Sequence, residues 1–296
     1  MGKIINEANI LTFAVTIGNY KTCRTLSDKY LSIMLKKENS GWTLLGKELD
    51  DDETLYLAAE HVVNKYTGLN NIYKEQLYTF SDLDRVPGKH IITTSYITLM
   101  DKARCKTELE KNTSWFNMTA SFTNNTIRLI LTNGTDILEI EYERKIYDKT
   151  TGKCEYKIIK SDGISYDHAK IIIVGLEVMH KNVVNTDIVF NLMPEYFTLG
   201  ELQQVYEMFL GKKLLDPAFR RIIQNKVIKT DRMAKTGGHR PSALFKYNYD
   251  LISVFNGYEN EDSRSINGIS DTGTKSVPLL EDTYKQLYPD VIVPLV

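Results

Sequence analysis

Apolar and polar positions along the first hundred residues fall into short runs that predict strands, with one helix among them. Residues 9 to 16 ("NILTFAVT") and 29 to 36 ("KYLSIMLK") read as strands around a polar excursion. Residues 76 to 80 and 90 to 100 read as two more, separated by the turn-rich "SDLDRVPGK". Leu55, Ala58, Ala59, Val62, Val63 and Tyr66 recur at helical spacing, which predicts a helix over 54 to 66 that Gly68 ends. The stretch from 46 to 53 is then a loop. Residues 120 to 160 carry β-branched runs and two turn signals, Asn133-Gly134 and Thr151-Gly152, the pattern of a three-stranded meander. Residues 167 to 182 predict a helix despite Gly175, and Pro194 marks a boundary.

The next fifty residues follow a different plan. Thr198 with Glu201 three positions later is a capping box, and Leu202, Val205, Tyr206, Phe209 and Leu210 line one helix face up to Gly211. Asp216-Pro217 starts a second helix, with Asp216 as N-cap and Phe219, Ile222, Ile223 and Val227 facing inward. A strand, a Gly237-Gly238 turn and a second strand come after it. Two helices and a basic hairpin are the pattern of a winged helix-turn-helix. Residues 251 to 296 begin polar and end apolar, which predicts a flexible tail whose end docks on the body or on a partner subunit.

Charge sharpens this division. Net charge over 296 residues is −1, yet Gly211 to Asn248 holds ten Lys and Arg against Asp216 and Asp231, a local +8 that leaves −9 for the remainder. A basic segment on an acidic body points to nucleic acid. Arg220, Arg221, Gln224 and Asn225 have the chemistry to read base edges, and Lys213, Lys226 and Lys229 to hold phosphates. In the wing, Lys235, His239 and Arg240 are placed to reach the backbone or the minor groove. Three scattered cysteines argue against a disulfide framework or a zinc site and fit a reducing, cytoplasmic setting. No signal sequence and no bilayer-length apolar run is visible. His61, His90, His168 and His180 show no metal-ligand spacing; His168 is expected to order the junction between domains. Trp42 and Trp115 are read as core.

The stretch "GWTLLGKELDDDETLYLAAEHVVNKYTGL" resembles the Nudix signature loop-helix. Anchored on Gly68, the signature Gly falls on Lys47, its first Glu on Glu53 and its Arg on His61. The three helix glutamates fall on Val62, Lys65 and Tyr66. Nudix hydrolysis needs clustered oxygen ligands for divalent cations, and these positions supply a cation, an alkyl group and a phenol instead.

Further segments, "EQLYTFSDLDR", "SWFNM", "YDHAKII", "MPEYFTLGELQQVYE" and "GGHRPSALFKY", occur in order and resemble the NrtR-type, Nudix-related bacterial transcriptional regulators. The 120–160 meander and the tail exceed that family's compact pattern. The resemblance implies an α+β chain. A Nudix-like mixed-sheet α/β/α domain would span residues 1–190, with the meander inserted in it, and a winged helix residues 194–250. It further implies a homodimer that binds a double-stranded DNA operator under control of a small effector, ADP-ribose or another NAD-derived nucleotide, or a sugar. Glu53, Asp82, Asp84 and Arg85 then become candidate effector contacts, with no catalytic residue, metal or cofactor. Two readings compete with this one. The first is a Nudix hydrolase of ADP-ribose or a related nucleoside diphosphate derivative, and the second is a basic module for protein contact.

Overall fold

The computed structural model describes residues 4–17, 29–123, 126–148, 153–234 and 241–250. Its framework is a nine-stranded sheet. The strands are β1 (Ile5–Ile17), β2 (Lys29–Glu38), β3 (Gly41–Glu48), β4 (Tyr73–Phe80), β5 (Ile91–Met100), β6 (Thr113–Thr123), β7 (Thr126–Thr132), β8 (Ile137–Asp148) and β9 (Lys153–Asp162). They lie in the order β4-β5-β1-β3-β2-β6-β7-β8-β9. Only β1 and β5 run parallel; β1 pairs with β3 along its first half and with β2 along its second.

Successive residues of a strand face opposite sides, and the two sides of this sheet have different partners. Ile10, Ala14, Met34 and Leu45 meet Ala59, Val62, Val63 and Tyr66 of α1 (Leu55–Thr67). Leu11, Phe13, Ile33 and Leu35 face the other way, onto α2 (His168–Asn182) and the C-terminal helices. Gly175 is explained here: a Cβ would lie 2.2 Å from Leu11 Cδ2, so the helix approaches the sheet only without one. The α1 ends match the expectation, with the Thr54 hydroxyl accepting from the Leu57 N–H and Gly68 left-handed at φ 75°.

Three expectations need correction. Residues 46 to 48 belong to β3, so the loop before α1 is shorter than predicted, and β3 itself was not foreseen. The meander has four strands. Phe116 and Met118 are inward-facing residues of β6, whose alternation starts seven residues before residue 120. It also continues the main sheet through β2–β6 pairing. Leu129, Leu131, Leu138 and Ile140 bury their side chains in the same core as α2. The Asn133-Gly134 turn is present, with the Asn133 carboxamide oxygen accepting from the N–H groups of Thr135 and Asp136. Thr151-Gly152 lies outside the described residues.

The winged helix comprises α3 (Leu199–Leu210), α4 (Asp216–Ile222) and a hairpin of β10 (Val227–Met233) and β11 (Ala243–Tyr247). Phe197 pairs with Phe245 through two backbone hydrogen bonds, which ties the segment before α3 to the hairpin. The capping box forms as expected: Thr198 Oγ1 accepts from the Glu201 N–H at 3.2 Å, and Glu201 Oε2 accepts from the Thr198 N–H at 2.8 Å. Thr198→Ala should therefore lower stability by about 1 kcal/mol, and Thr198→Ser should restore most of it. Urea denaturation checks this, and equal midpoints for all three proteins would contradict it.

The second helix is shorter than predicted. Leu215 is its N-cap, Asp216 and Pro217 are already helical, and it ends at Ile222. Asn225 turns left-handed at φ 67°, which redirects the chain into β10. Gln224 and Asn225 therefore sit on the turn after α4, not on the helix. Phe209 meets Phe13 edge-on at 5.8 Å between ring centres, so the winged helix and the sheet share one apolar core. The expected tail, 251–296, lies outside the described residues, as does the Gly237-Gly238 turn.

Candidate effector pocket and DNA-binding face

The signature helix is built to fold, and its polar groups are spent on holding it. Lys47 Nζ lies 2.6 Å from Glu53 Oε2, and His61 Nδ1 lies 2.5 Å from Glu53 Oε1, so both carboxylate oxygens are engaged. The Lys47 ammonium, and after it the His61 contact, hold Glu53 below the usual carboxylate range. Val62 and Tyr66 are buried core residues, and Lys65 is exposed. Glu60, the other carboxylate of the helix, pairs with the buried Lys74 of β4 and accepts from the Asn71 N–H. No group of three or more His, Cys, Asp or Glu could hold a metal ion among the described residues. A divalent cation does not fit this donor set, because the carboxylate nearest the expected position already carries an ammonium.

A cavity of about 230 Å³ opens beside this loop, where β1 and β3 meet the start of α2. Glu7, Asn9, Thr43, Lys47, Arg85 and His168 line it. His168 Nδ1 accepts from the Leu44 N–H at 2.9 Å, which fixes the proton on Nε2, and Nε2 faces the Asn9 carboxamide at 3.4 Å. Asn9 packs against Gly46 so closely that a Cβ there would lie 1.8 Å from its Oδ1. Burial pushes the His168 imidazole down to about 4 and raises the Glu7 carboxyl. His168 was expected at the junction between domains; instead it supports this pocket.

A depressed imidazole pKa has a defined sign. Between pH 6.5 and about 4 the unfolded chain binds a proton at His168 that the folded chain refuses. Stability from this group is present above pH 6.5 and is lost as pH falls through that window, by at most about 3 kcal/mol. Glu7 acts in the opposite sense, so the comparison must be with His168→Gln. Denaturation midpoints of the variant should fall less steeply than wild type from pH 7 to pH 4.5, and parallel curves would contradict the assignment.

The four residues expected to contact an effector separate. Arg85 reaches the pocket wall, but its guanidinium is committed: Nε and Nη2 donate to Asp167 at 2.7 and 3.0 Å, and Nη1 donates to the carbonyls of Phe80 and Ile91. Asp82 pairs with Lys170 at 2.8 Å, Asp84 is exposed, and Glu53 is held by Lys47. None of these three lines the cavity. Glu7, Asn9, Thr43 and His168 do, and the pattern offered only one signal for them: a polar Asn9 inside an otherwise apolar strand.

On the C-terminal side, Arg220, Arg221, Gln224 and Asn225 are all exposed, at the end of α4 and the turn after it. Lys229 is exposed on β10, and Lys213 is exposed while pairing with Glu207 at 2.8 Å. Lys226 differs. Its ammonium pairs with Asp187 Oδ1 at 2.7 Å while Asp187 Oδ2 accepts from the Tyr247 hydroxyl, a bond between the hairpin and the segment before it. Arg232 lies over the Tyr196 ring at 4.0 Å. Lys235, His239 and Arg240 fall outside the described residues.

Residues 189–247 match the family model described as the NrtR DNA-binding winged helix domain. That segment is an NrtR-type winged helix domain. The nine-stranded body has a Nudix-like fold: a MutT/nudix family protein from Enterococcus faecalis superposes with a TM-score of 0.60 at 18% identity, covering 84% of this chain and 88% of its own. Shewanella oneidensis NrtR complexed with a 27mer DNA superposes with a TM-score of 0.57 at 20% identity, covering 83% and 95%. Among curated proteins, the ADPR responsive transcriptional repressor NtrR of Acinetobacter baylyi is 23% identical over 215 residues, 71% of each chain.

The NrtR-type winged helix accounts for the +8 segment seen in the sequence. Its scaffold residues, Phe197, Leu202, Tyr206 and Phe219, are buried, and its basic residues are carried outward on α4, the following turn and the hairpin. No helix among the described residues is long and apolar enough to cross a membrane.

Proposed function

We propose that this protein is a cytoplasmic, DNA-binding transcriptional regulator, acting as a homodimer on a two-fold operator, whose Nudix-like domain senses a metabolite. The observation that carries the reading is the NrtR winged helix at 189–247 with its polar and basic residues exposed on α4 and the turn after it. Arg221, Gln224 and Asn225 read bases, with Arg220 beside them, while Lys213 and Lys229 hold phosphates. Lys235, His239 and Arg240 complete the wing contact. Lys226 belongs to the scaffold, because its side chain is largely withdrawn and held by Asp187, whereas Lys213 stays exposed beside Glu207. Dimer symmetry would match the operator's.

The effector binds in the cavity around Asn9 and His168 and shifts the balance between DNA-competent and incompetent placements of the two winged helices. ADP-ribose is the first candidate, from the name of the Acinetobacter relative. A sugar is the second, favoured by a cavity of about 230 Å³ in which Lys36, Lys47 and Arg85, three of the four Lys and Arg that line it, are already paired with carboxylates. Arg85 shapes the cavity wall rather than touching the effector, and Glu53, Asp82 and Asp84 lie outside it. Hydrolysis of ADP-ribose is the competing function, opposed by the donor set around Glu53.

Titration calorimetry of the full chain with ADP-ribose and with arabinose, beside an assay for magnesium-dependent ADP-ribose turnover, separates these. Saturable binding of one ligand, abolished by Thr43→Trp and without turnover, is expected. Turnover would replace the regulator with the hydrolase. Binding unaffected by Thr43→Trp would remove the effector from this cavity.

A further inference from the structure

A second, larger cavity of about 510 Å³ shares no lining residue with the effector pocket. Its floor is the sheet extension, with Met118, Leu129 and Tyr142, and its walls are Leu176 of α2 and Met208 and Phe209 of α3. Volume and lining fit a small molecule with an apolar ring, since binding cavities are mostly apolar with few convergent polar groups. The polar lining is mixed: Lys29 and Arg144 are cationic donors, and Glu177 and His180 offer acceptors. Glu177 Oε2 is buried without a hydrogen bond, although the Arg144 guanidinium stands 3.3 Å away. His180, one turn further along α2, uses Nδ1 to donate to the Phe209 carbonyl at 2.9 Å, which leaves the lone pair on Nε2. Glu177 Oε2 thus keeps an ion pair with Arg144 but no aligned hydrogen bond, and a ligand hydroxyl or amine would supply one.

Position gives the cavity a consequence. Phe209, Leu210 and Gly211 end α3 and lead into α4, so an occupant touches the turn that sets the DNA-binding helix. We propose that this cavity is a second ligand site, for an aromatic-sized apolar molecule bearing a hydroxyl or amine directed at Glu177, and that its occupation changes DNA affinity through the end of α3. The second half rests on the regulator reading; the first does not.

The test uses the full chain and three probes of similar shape: phenol, tyramine and benzoate. Ligand-observed NMR should detect saturable binding of phenol and tyramine, with benzoate at least tenfold weaker because it has no hydroxyl or amine to donate to Glu177, and tight benzoate binding through Lys29 or Arg144 would overturn the Glu177 assignment. Ala120→Trp, at the exposed rim of the cavity, should abolish binding, and Glu177→Gln should weaken tyramine about tenfold. Titration of the effector pocket should be unchanged in both variants. No binding of any probe, binding indifferent to Ala120→Trp, or competition by the effector-pocket ligand would overturn the site. Anisotropy of labelled operator DNA should then shift at least threefold in affinity on saturation with tyramine. Probe binding with no such shift would overturn the coupling and leave the site. Failure to bind DNA at all would overturn the regulator reading, while the NMR result still decides the site.

Discussion

Arg85→Met should cost about 3–5 kcal/mol of folding stability, the range for removing one partner of a buried ion pair. The residue is only 7% exposed, and its guanidinium links Asp167 at the start of α2 to the end of β4 and the start of β5. Removing it takes the Arg85 donors from a carboxylate and two carbonyl oxygens in a withdrawn position, and methionine fills the space without replacing them. The double variant Arg85→Met with Asp167→Asn should recover part of the loss, because the stranded charge is gone. Urea denaturation of the four proteins gives the coupling directly. A loss below 1 kcal/mol for the single variant, or strict additivity in the double, would mean that the bidentate contact is not a keystone.

On DNA, Arg221→Ala should weaken operator binding at least tenfold while leaving a scrambled duplex almost untouched, since a bidentate base contact discriminates by about 1–3 kcal/mol. Lys229→Ala should instead weaken both duplexes alike and lower the slope of log affinity against log salt by about one, the signature of a lost phosphate contact. Lys226→Ala separates electrostatic from structural roles. Because Lys226 is bound to Asp187, its loss should lower stability with little change in salt slope. Equal losses of Arg221→Ala on operator and scramble would remove α4 from base reading.

Local signals carried much of this molecule. The capping box at Thr198 and the Gly68 stop are properties of a few neighbouring residues, so helix ends there were legible. Where a tertiary contact decided the outcome, they were not. The apolar spacing of Ile222, Ile223 and Val227 reads as continuing helix, but Asn225 takes a left-handed turn that lets Asn248 donate to the Lys226 carbonyl and dock the hairpin. The meander's own strands were legible from its turns and β-branched runs, but not where it joins the sheet. Its attachment depends on Leu31–Met118 and Leu35–Ser114 neighbours more than seventy positions apart. The effector pocket was harder still. Asn9, Leu44 and His168 meet across a sequence separation of up to 159 residues, with no shared motif to join them. Arg85 was singled out as an effector contact, yet its partner is 82 residues away and makes it a clamp. The loss of carboxylates at Val62, Lys65 and Tyr66 was visible at once; that Lys47 and His61 take over Glu53 was not.

The central claim is sequence-specific DNA binding governed by a ligand, and fluorescence anisotropy of the full chain tests it most directly. Duplexes tiling the DNA upstream of the gene and its neighbours would be titrated against a scrambled control across a salt series, with and without ADP-ribose and arabinose. The account predicts one tile bound far more tightly than the scramble, an affinity that falls steeply with salt, and a shift of that affinity by one of the two ligands. Equal weak binding to every duplex, unchanged by either ligand, would contradict it.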